Sequence, residues 1–404
     1  MSRRVAWSVV ALAMLTMTVS YIDRQTLAVI APAVTDALHL TETEYGWLAS
    51  AFALAYLVAT PTAGWWIDSI GARRGLVRSM LVWSSIAAMH ALVPSFAVLF
   101  ALRVALGLAE GPGFPGAAQT VQRILPAEER SRGFGLLFSG SSIGAMVAAP
   151  VAARLAAAYG WRFAFVGTSL AAALWIPAWI LLTNRRDVRE RLEVLPAPTR
   201  VRPNLLDLLR ERVVIRALIA IFAAAPAVGF AGVWASKYLV RRWAIDQKHV
   251  GDYLWLPPLC LDAGAILFGD LASRLRRRDG SLTVLYAIAA LLASSLALLS
   301  CAETPWQSMT VVGVSMAGGG ALYTLCTADL LSRIHPDAVS FTGGVVAGAQ
   351  SLAMIIMNPL IGRAVDRLHD YSAVALTLGI WALPGSLIWI AWRPRPSERF
   401  GHQV

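Results

Sequence analysis

Twelve stretches of apolar sequence, each long enough to cross a bilayer, constrain this chain more than any other feature. A membrane helix needs roughly 20 mostly apolar residues. Cores at 7–33, 46–66, 75–93, 97–120, 134–155, 161–182, 213–238, 251–271, 281–300, 307–330, 342–364 and 372–392 meet that requirement by length rather than by periodicity. Composition agrees, since 57% of the 404 residues are hydrophobic and 15% are charged, against an apolar share of about 45–50% in soluble domains. The fold class is therefore an all-α polytopic membrane protein of twelve transmembrane helices. Its longest joint, residues 184–212, is rich in arginine and carries Pro196, Pro198 and Pro203. That joint divides the spans into two six-helix halves, 1–183 and 213–404, and reads as a solvated basic connector that helps set topology.

Orientation follows from the arginines. Arg3 and Arg4, then Arg73, Arg74 and Arg78, then Arg123, Arg130 and Arg132, then the runs 185–212, 274–278 and 393–399 flank alternate loops. The positive-inside rule makes those loops cytoplasmic, and both termini with them. The intervening joints hold acids or little charge, as at Asp36, Glu42, Glu44 and Glu303; the joint after span seven, with Lys237, Arg241, Arg242 and Lys248, is the exception.

The net charge of +11 does not indicate nucleic acid, because such a reader gathers its basic residues on one face, whereas here they fall in short clusters between apolar spans. Cys260, Cys301 and Cys326 are scattered without pair spacing, so neither a disulfide framework nor a metal site is expected. No nucleophile–base set or phosphate loop points to an enzyme. Met1-Ser2-Arg3-Arg4 before an apolar run has the outline of a secretory leader. That run ends in Asp23-Arg24, however, where a small-residue cleavage site belongs, and apolar sequence resumes at once.

Charges inside the spans mark the candidate site. An ionisable residue at membrane depth costs at least about 2.5 kcal/mol even on lenient scales, so it faces a bundle interior or a wet cavity. Tyr21-Ile22-Asp23-Arg24 lies between two apolar runs of the first span. Span four carries Arg103 and Glu110, seven residues apart, which puts them on one helix face about 10 Å apart along the axis. The Gly111-Pro112-Gly113-Phe114-Pro115 run then weakens that helix, which is tolerable only beside a cavity or a tightly packed neighbour. Pairing that merely neutralises these charges is the plainer alternative to a functional role.

Between spans two and three lies Gly64-Trp-Trp-Ile-Asp68-Ser-Ile-Gly71-Ala-Arg73-Arg74. Its two glycines permit close helix approach and a tight turn. Asp68 can face a helix N-terminus or the arginines, forming a latch that must break as two halves rock. A degenerate copy, Gly269-Asp270-Leu-Ala-Ser-Arg274-Leu-Arg276-Arg277-Arg278, stands where the second half should repeat it, with its aspartate displaced. The first copy resembles the loop motif of the major facilitator superfamily at all five fixed positions.

Tyr21, Asp23 and Arg24, with Arg103 through Pro115, are similar to the anion:cation symporter branch of that superfamily. Gly140 through Met146, Tyr253 through Pro257 and Asp262 through Gly264 resemble its bacterial hexuronate carriers. The likeness implies that Arg24 binds the substrate carboxylate, that Tyr21 and Tyr56 line the site, and that Asp23 and Glu110 take part in proton coupling with Arg103 as the partner of Glu110. In the second half Trp234, Lys237 and Tyr238 resemble the span-seven signature, with Ser236 where the family has proline. Gln350 and Asn358 of span eleven complete the candidate substrate contacts. The implied activity is proton-coupled symport of a monovalent sugar acid by a monomer in a bacterial inner membrane, with protons as coupling ion and no cofactor. A proton-coupled exporter of drugs or metabolites, and a non-transporting membrane sensor, are the alternatives.

Overall fold

Each helix begins and ends where local chemistry dictates. The computed structural model describes residues 1–193, 205–276, 281–333 and 339–392. The prolines Pro196, Pro198 and Pro203, the arginines Arg277 and Arg278 and the run 393–399 lie outside them. Among the described residues the chain is helical, with no strand. Twelve helices are long and apolar enough to cross a membrane: α1 Arg3–Val29, α2 Glu42–Ile70, α3 Ala72–Leu92, α4 Phe96–Ile124, α5 Ala127–Tyr159, α6 Trp161–Thr183, α7 Arg212–Trp243, α8 Gln247–Arg276, α9 Thr283–Cys301, α10 Pro305–Leu330, α11 Thr342–Leu368 and α12 Tyr371–Ala391. The expected spans are therefore all present.

Thr41 and Glu44 start α2 with a reciprocal capping box, each side chain accepting from the other's backbone amide at 3.1 and 2.8 Å. Gly71, at φ +80°, ends α2 and starts α3, a conformation that favours glycine. Two spans are interrupted inside the apolar region. In α4 the helix Phe96–Glu110 gives way at Gly111-Pro112 to Gly113–Ile124. In α7 a π-turn, Phe230–Trp234, separates Arg212–Gly229 from Ala235–Trp243, four residues after a proline whose missing N–H breaks the ladder.

The chain forms two compact units. Unit 1 is Met1–Ala197 with Ser236–Trp255, and unit 2 is Pro198–Ala235 with Leu256–Val404. They do not coincide with the two halves read from the sequence, because α7 changes unit just after its π-turn. The segment beyond that turn bonds into unit 1: Ser236 Oγ donates to the Ala28 carbonyl at 2.5 Å, and Gln247 Nε2 donates to that of Val29 at 3.0 Å.

Small residues set helix spacing within unit 1, as expected where lipid supplies no hydrophobic drive between helices. A methyl added at Gly144 of α5 would stand 2.5 Å from the Thr18 carbonyl oxygen of α1, and one at Gly107 of α4 would stand 2.6 Å from that of Phe52 in α2. These contacts press α1 and α4 against their neighbours at the level of the charged residues. In unit 2 the same device joins α8 and α10, where a methyl at Gly264 would meet the Ala317 carbonyl at 2.0 Å.

Candidate substrate and coupling site

Three helices of unit 1 bring Arg24, Glu110 and a set of aromatic rings together. Arg24 Nε of α1 donates to Glu110 Oε2 of α4 at 2.5 Å. The same oxygen accepts from Ser20 Oγ, one turn earlier on α1, at 2.7 Å. The Glu110 side chain is fully buried and that of Arg24 keeps 14% of its exposure. Glu110 takes the Nε edge and the Tyr56 hydroxyl also bonds the guanidinium, so a second carboxylate would compete with Glu110 for this planar, carboxylate-matching fork.

Rings hold the fork in place. The Arg24 guanidinium lies 4.3 Å from the Tyr56 ring centre, 4.9 Å from Tyr21 and 5.0 Å from Phe52. Phe52 and Tyr56 stack on each other at 14°, one helical turn apart on α2. Each cation–π contact contributes about 0.5–2 kcal/mol.

The expected Arg103–Glu110 pair is not formed. The two residues share a helix face, yet about 10 Å of axial rise separates them, and Glu110 bonds Arg24 and Ser20 of α1 instead. Arg103 is buried with its guanidinium 4.7 Å from the Phe52 ring centre, and its Nε and one Nη lack a hydrogen-bond partner. Asp23, the neighbour of Arg24 in sequence, points elsewhere. It is 2% exposed and neither carboxyl oxygen meets a donor in hydrogen-bond geometry among the described residues; the Trp83 indole and the Glu110 carboxyl are the polar groups that act on it.

Lys237 is committed to a different cluster. Its Nζ meets Glu42 Oε2 at 2.8 Å and Thr35 Oγ1 at 2.9 Å, over the Tyr45 ring at 5.0 Å. Arg241 adds a second cation to Glu42 at 2.5 Å, and both Lys237 and Glu42 are buried. The ammonium expected to face a substrate is thus neutralised in this structure. In unit 2, Trp234 Nε1 donates to Asn358 Oδ1 at 3.1 Å, and both side chains are buried. Gln350, on the same helix as Asn358, is half-buried.

The loop between α2 and α3 ties Asp68 to a helix N-terminus, one of the two partners expected for it, through a residue of α4. Asp68 Oδ1 accepts from Gln119 Nε2 at 2.8 Å, and Gln119 Oε1 accepts from the Ala72 amide at 2.9 Å, so α4 ties the aspartate to the N-terminus of α3. Arg73 bonds Asn184 and lies 3.4 Å from Glu193, which is 4.0 Å from Arg74. Glu193 ends an amphipathic helix, Arg186–Glu193, whose Val188 and Leu192 are fully buried. The start of the connector is therefore packed structure rather than a solvated strap. Gly64 does not serve close approach, since an added methyl there meets nothing within 4 Å.

Ser20, Gln119 and Asp329 do not stand out in the sequence, and Glu42 reads there only as a loop acid, not as the partner of Lys237 and Arg241. Asp329 near the end of α10 meets Arg216 at 3.3 Å, Arg333 at 3.1 Å and Arg276 at 3.9 Å. Arg216 also donates to the Trp389 carbonyl at 2.5 Å. Asp270, the displaced aspartate of the degenerate loop, forms an exposed pair with Arg274 as its one ion pair among the described residues. Glu42, Gln119 and Asp329 lie within about one turn of a span end and read as boundary, whereas Ser20, one turn before Arg24, is a single small hydroxyl inside an apolar run.

Twelve helices long and apolar enough to cross a membrane, with a buried arginine–carboxylate pair inside unit 1, describe a polytopic membrane protein. The chain belongs to the major facilitator superfamily, whose sequence model matches residues 13–356. It is thus a transporter rather than an enzyme. It is 26% identical over 414 residues to a hexuronate transporter of Escherichia coli K12, covering 97% of this chain and 95% of that one. Against a galacturonate transporter of Dickeya chrysanthemi the identity is 27% over 65% of this chain and 80% of the relative. A probable galactarate/D-glucarate transporter of Bacillus subtilis is 24% identical over 96% and 91%. Among solved structures, a bacterial homolog of the human lysosomal transporter Spinster, inward-facing and occupied, superposes with a TM-score of 0.77 at 17% identity over 98% of this chain and 100% of that one, which shows the fold.

Proposed function

We propose that this chain takes up a monovalent sugar acid, a hexuronate such as glucuronate or galacturonate, together with a proton by alternating access. The observation that carries the reading is the Arg24–Glu110 pair, with the guanidinium fork held among Tyr21, Phe52 and Tyr56. A substrate carboxylate and Glu110 compete for one cation, so a proton on Glu110 frees Arg24 for substrate, and loss of that proton favours release. Linking the two through a shared arginine is enough to couple their movements. Asp23, buried and without a hydrogen-bond partner among the described residues, is the second carboxyl able to hold a proton. Tyrosine and tryptophan faces with polar tips suit a pyranose ring, and the names of the relatives favour the sugar-acid class.

The test is accumulation of labelled glucuronate or galacturonate in proteoliposomes of the purified chain under an inward proton gradient. The reading expects uptake above the equilibrium level that collapses with a protonophore. No uptake of any sugar acid, alongside efflux of organic cations, overturns it in favour of an exporter.

A further inference from the structure

A cavity of about 280 Å³ opens between the start of α3 and the end of α6, lined by Arg73, Arg74, Arg78, Thr183 and Asn184. Its lining holds three arginines and no acid. Glu193, the one carboxylate paired with any of them among the described residues, is shared with Arg189 at 2.9 Å. Among the described residues the cavity therefore retains net positive charge.

Arg78 is the most demanding of the three. It lies six residues into α3, about 9 Å along the helix, yet it is exposed and forms no ion pair or side-chain hydrogen bond among the described residues. Around it the surface is apolar and outward-facing: Leu81 and Val82 are 51% and 53% exposed and Leu181 is 74% exposed. Val77 and Ile180 complete the cavity wall. An arginine among lipid-facing apolar side chains snorkels its charge to the head-group level. With the orientation given by the loop arginines, that level is the cytoplasmic leaflet, where anionic lipids gather.

We infer that this cleft is a binding site for the phosphate head group of an anionic phospholipid. Arg74 and Arg78 supply the counter-charge, Thr183 and Asn184 are polar neighbours, and the acyl chains run along Val77, Ile180 and Leu81. The volume is small for a whole organic ligand and suits a phosphodiester whose tails stay in the bilayer. The site lies within unit 1 and does not rest on the sugar-acid reading.

Native mass spectrometry of the full chain, carried from nanodiscs into detergent, tests this. The probes are phosphatidylglycerol and phosphatidylcholine, with inorganic phosphate as competitor. The expected result is a retained phosphatidylglycerol adduct that phosphatidylcholine does not form, weakened about fivefold in Arg78→Gln and kept in Arg78→Lys. Should Arg78→Gln fail to fold, Arg74→Gln, whose side chain is 59% exposed, reads the same loss. Equal retention of both lipids, or an adduct unchanged in the glutamine variants, overturns the proposal. Displacement by inorganic phosphate also overturns it, and makes the cleft a soluble-anion site.

Discussion

Arg24 does two jobs that pull apart on mutation: it neutralises buried Glu110 and, in the proposed mechanism, it docks the substrate. Arg24→Ala should weaken sugar-acid binding on the order of a hundredfold or more, read by calorimetry or tryptophan quenching, while also leaving Glu110 unpaired. The double variant Arg24→Ala/Glu110→Gln removes that orphaned charge, so it should regain thermal stability without regaining affinity. Wild-type affinity in either variant would place the carboxylate elsewhere. Arg24→Lys should rescue poorly, lacking the planar fork. Glu110→Gln should abolish proton-driven accumulation yet keep counterflow of labelled for unlabelled substrate. If Glu110→Gln still concentrates substrate and Asp23→Asn does not, Asp23 carries the proton. Both charged residues were legible in the sequence, because ions inside apolar runs stand out. Their partnership was not, since spacing along one helix reports which side chains share a face and says nothing of a residue 86 positions away on another helix.

Helix contacts make sharper predictions than helix lengths do. Gly144→Val inserts bulk where even a methyl would stand 2.5 Å from the Thr18 carbonyl, displacing the segment of α1 that carries Asp23 and Arg24. Overpacking of this kind costs about 1–3 kcal/mol, and the unfolding temperature in detergent should fall. Gly64→Ala meets open space and should leave that temperature nearly unchanged, within about 0.5 kcal/mol. An equal loss in both would mean that these glycines matter for the backbone rather than for packing. The spans themselves could be read from apolar length, and the break in α4 from its Gly-Pro run. The π-turn in α7 could not, because a proline inside a span marks a weak ladder without saying how the next turn winds; the docking of Arg186–Glu193 could not, because it depends on what lies beside the helix. Val188 and Leu192 look like two apolar residues in a charged stretch until α3 and α4 provide a floor for them.

At the scale of the whole molecule the arginine-bearing loops predict one topology. Alkaline phosphatase fused after Glu193 should be inactive and fused after Glu303 active, and the reverse pattern would invert the proposed orientation. The units, by contrast, do not follow the sequence halves, and that has a practical result. Ser236–Trp255 comes late in the chain but completes the unit built by the first six spans. A fragment ending at Glu193 would therefore be missing Lys237 and Arg241, stranding Glu42, 2% exposed, without either cation. Losing the partners of a buried charge costs about 3–5 kcal/mol, so severed halves expressed separately should be degraded, and expressed together should protect one another.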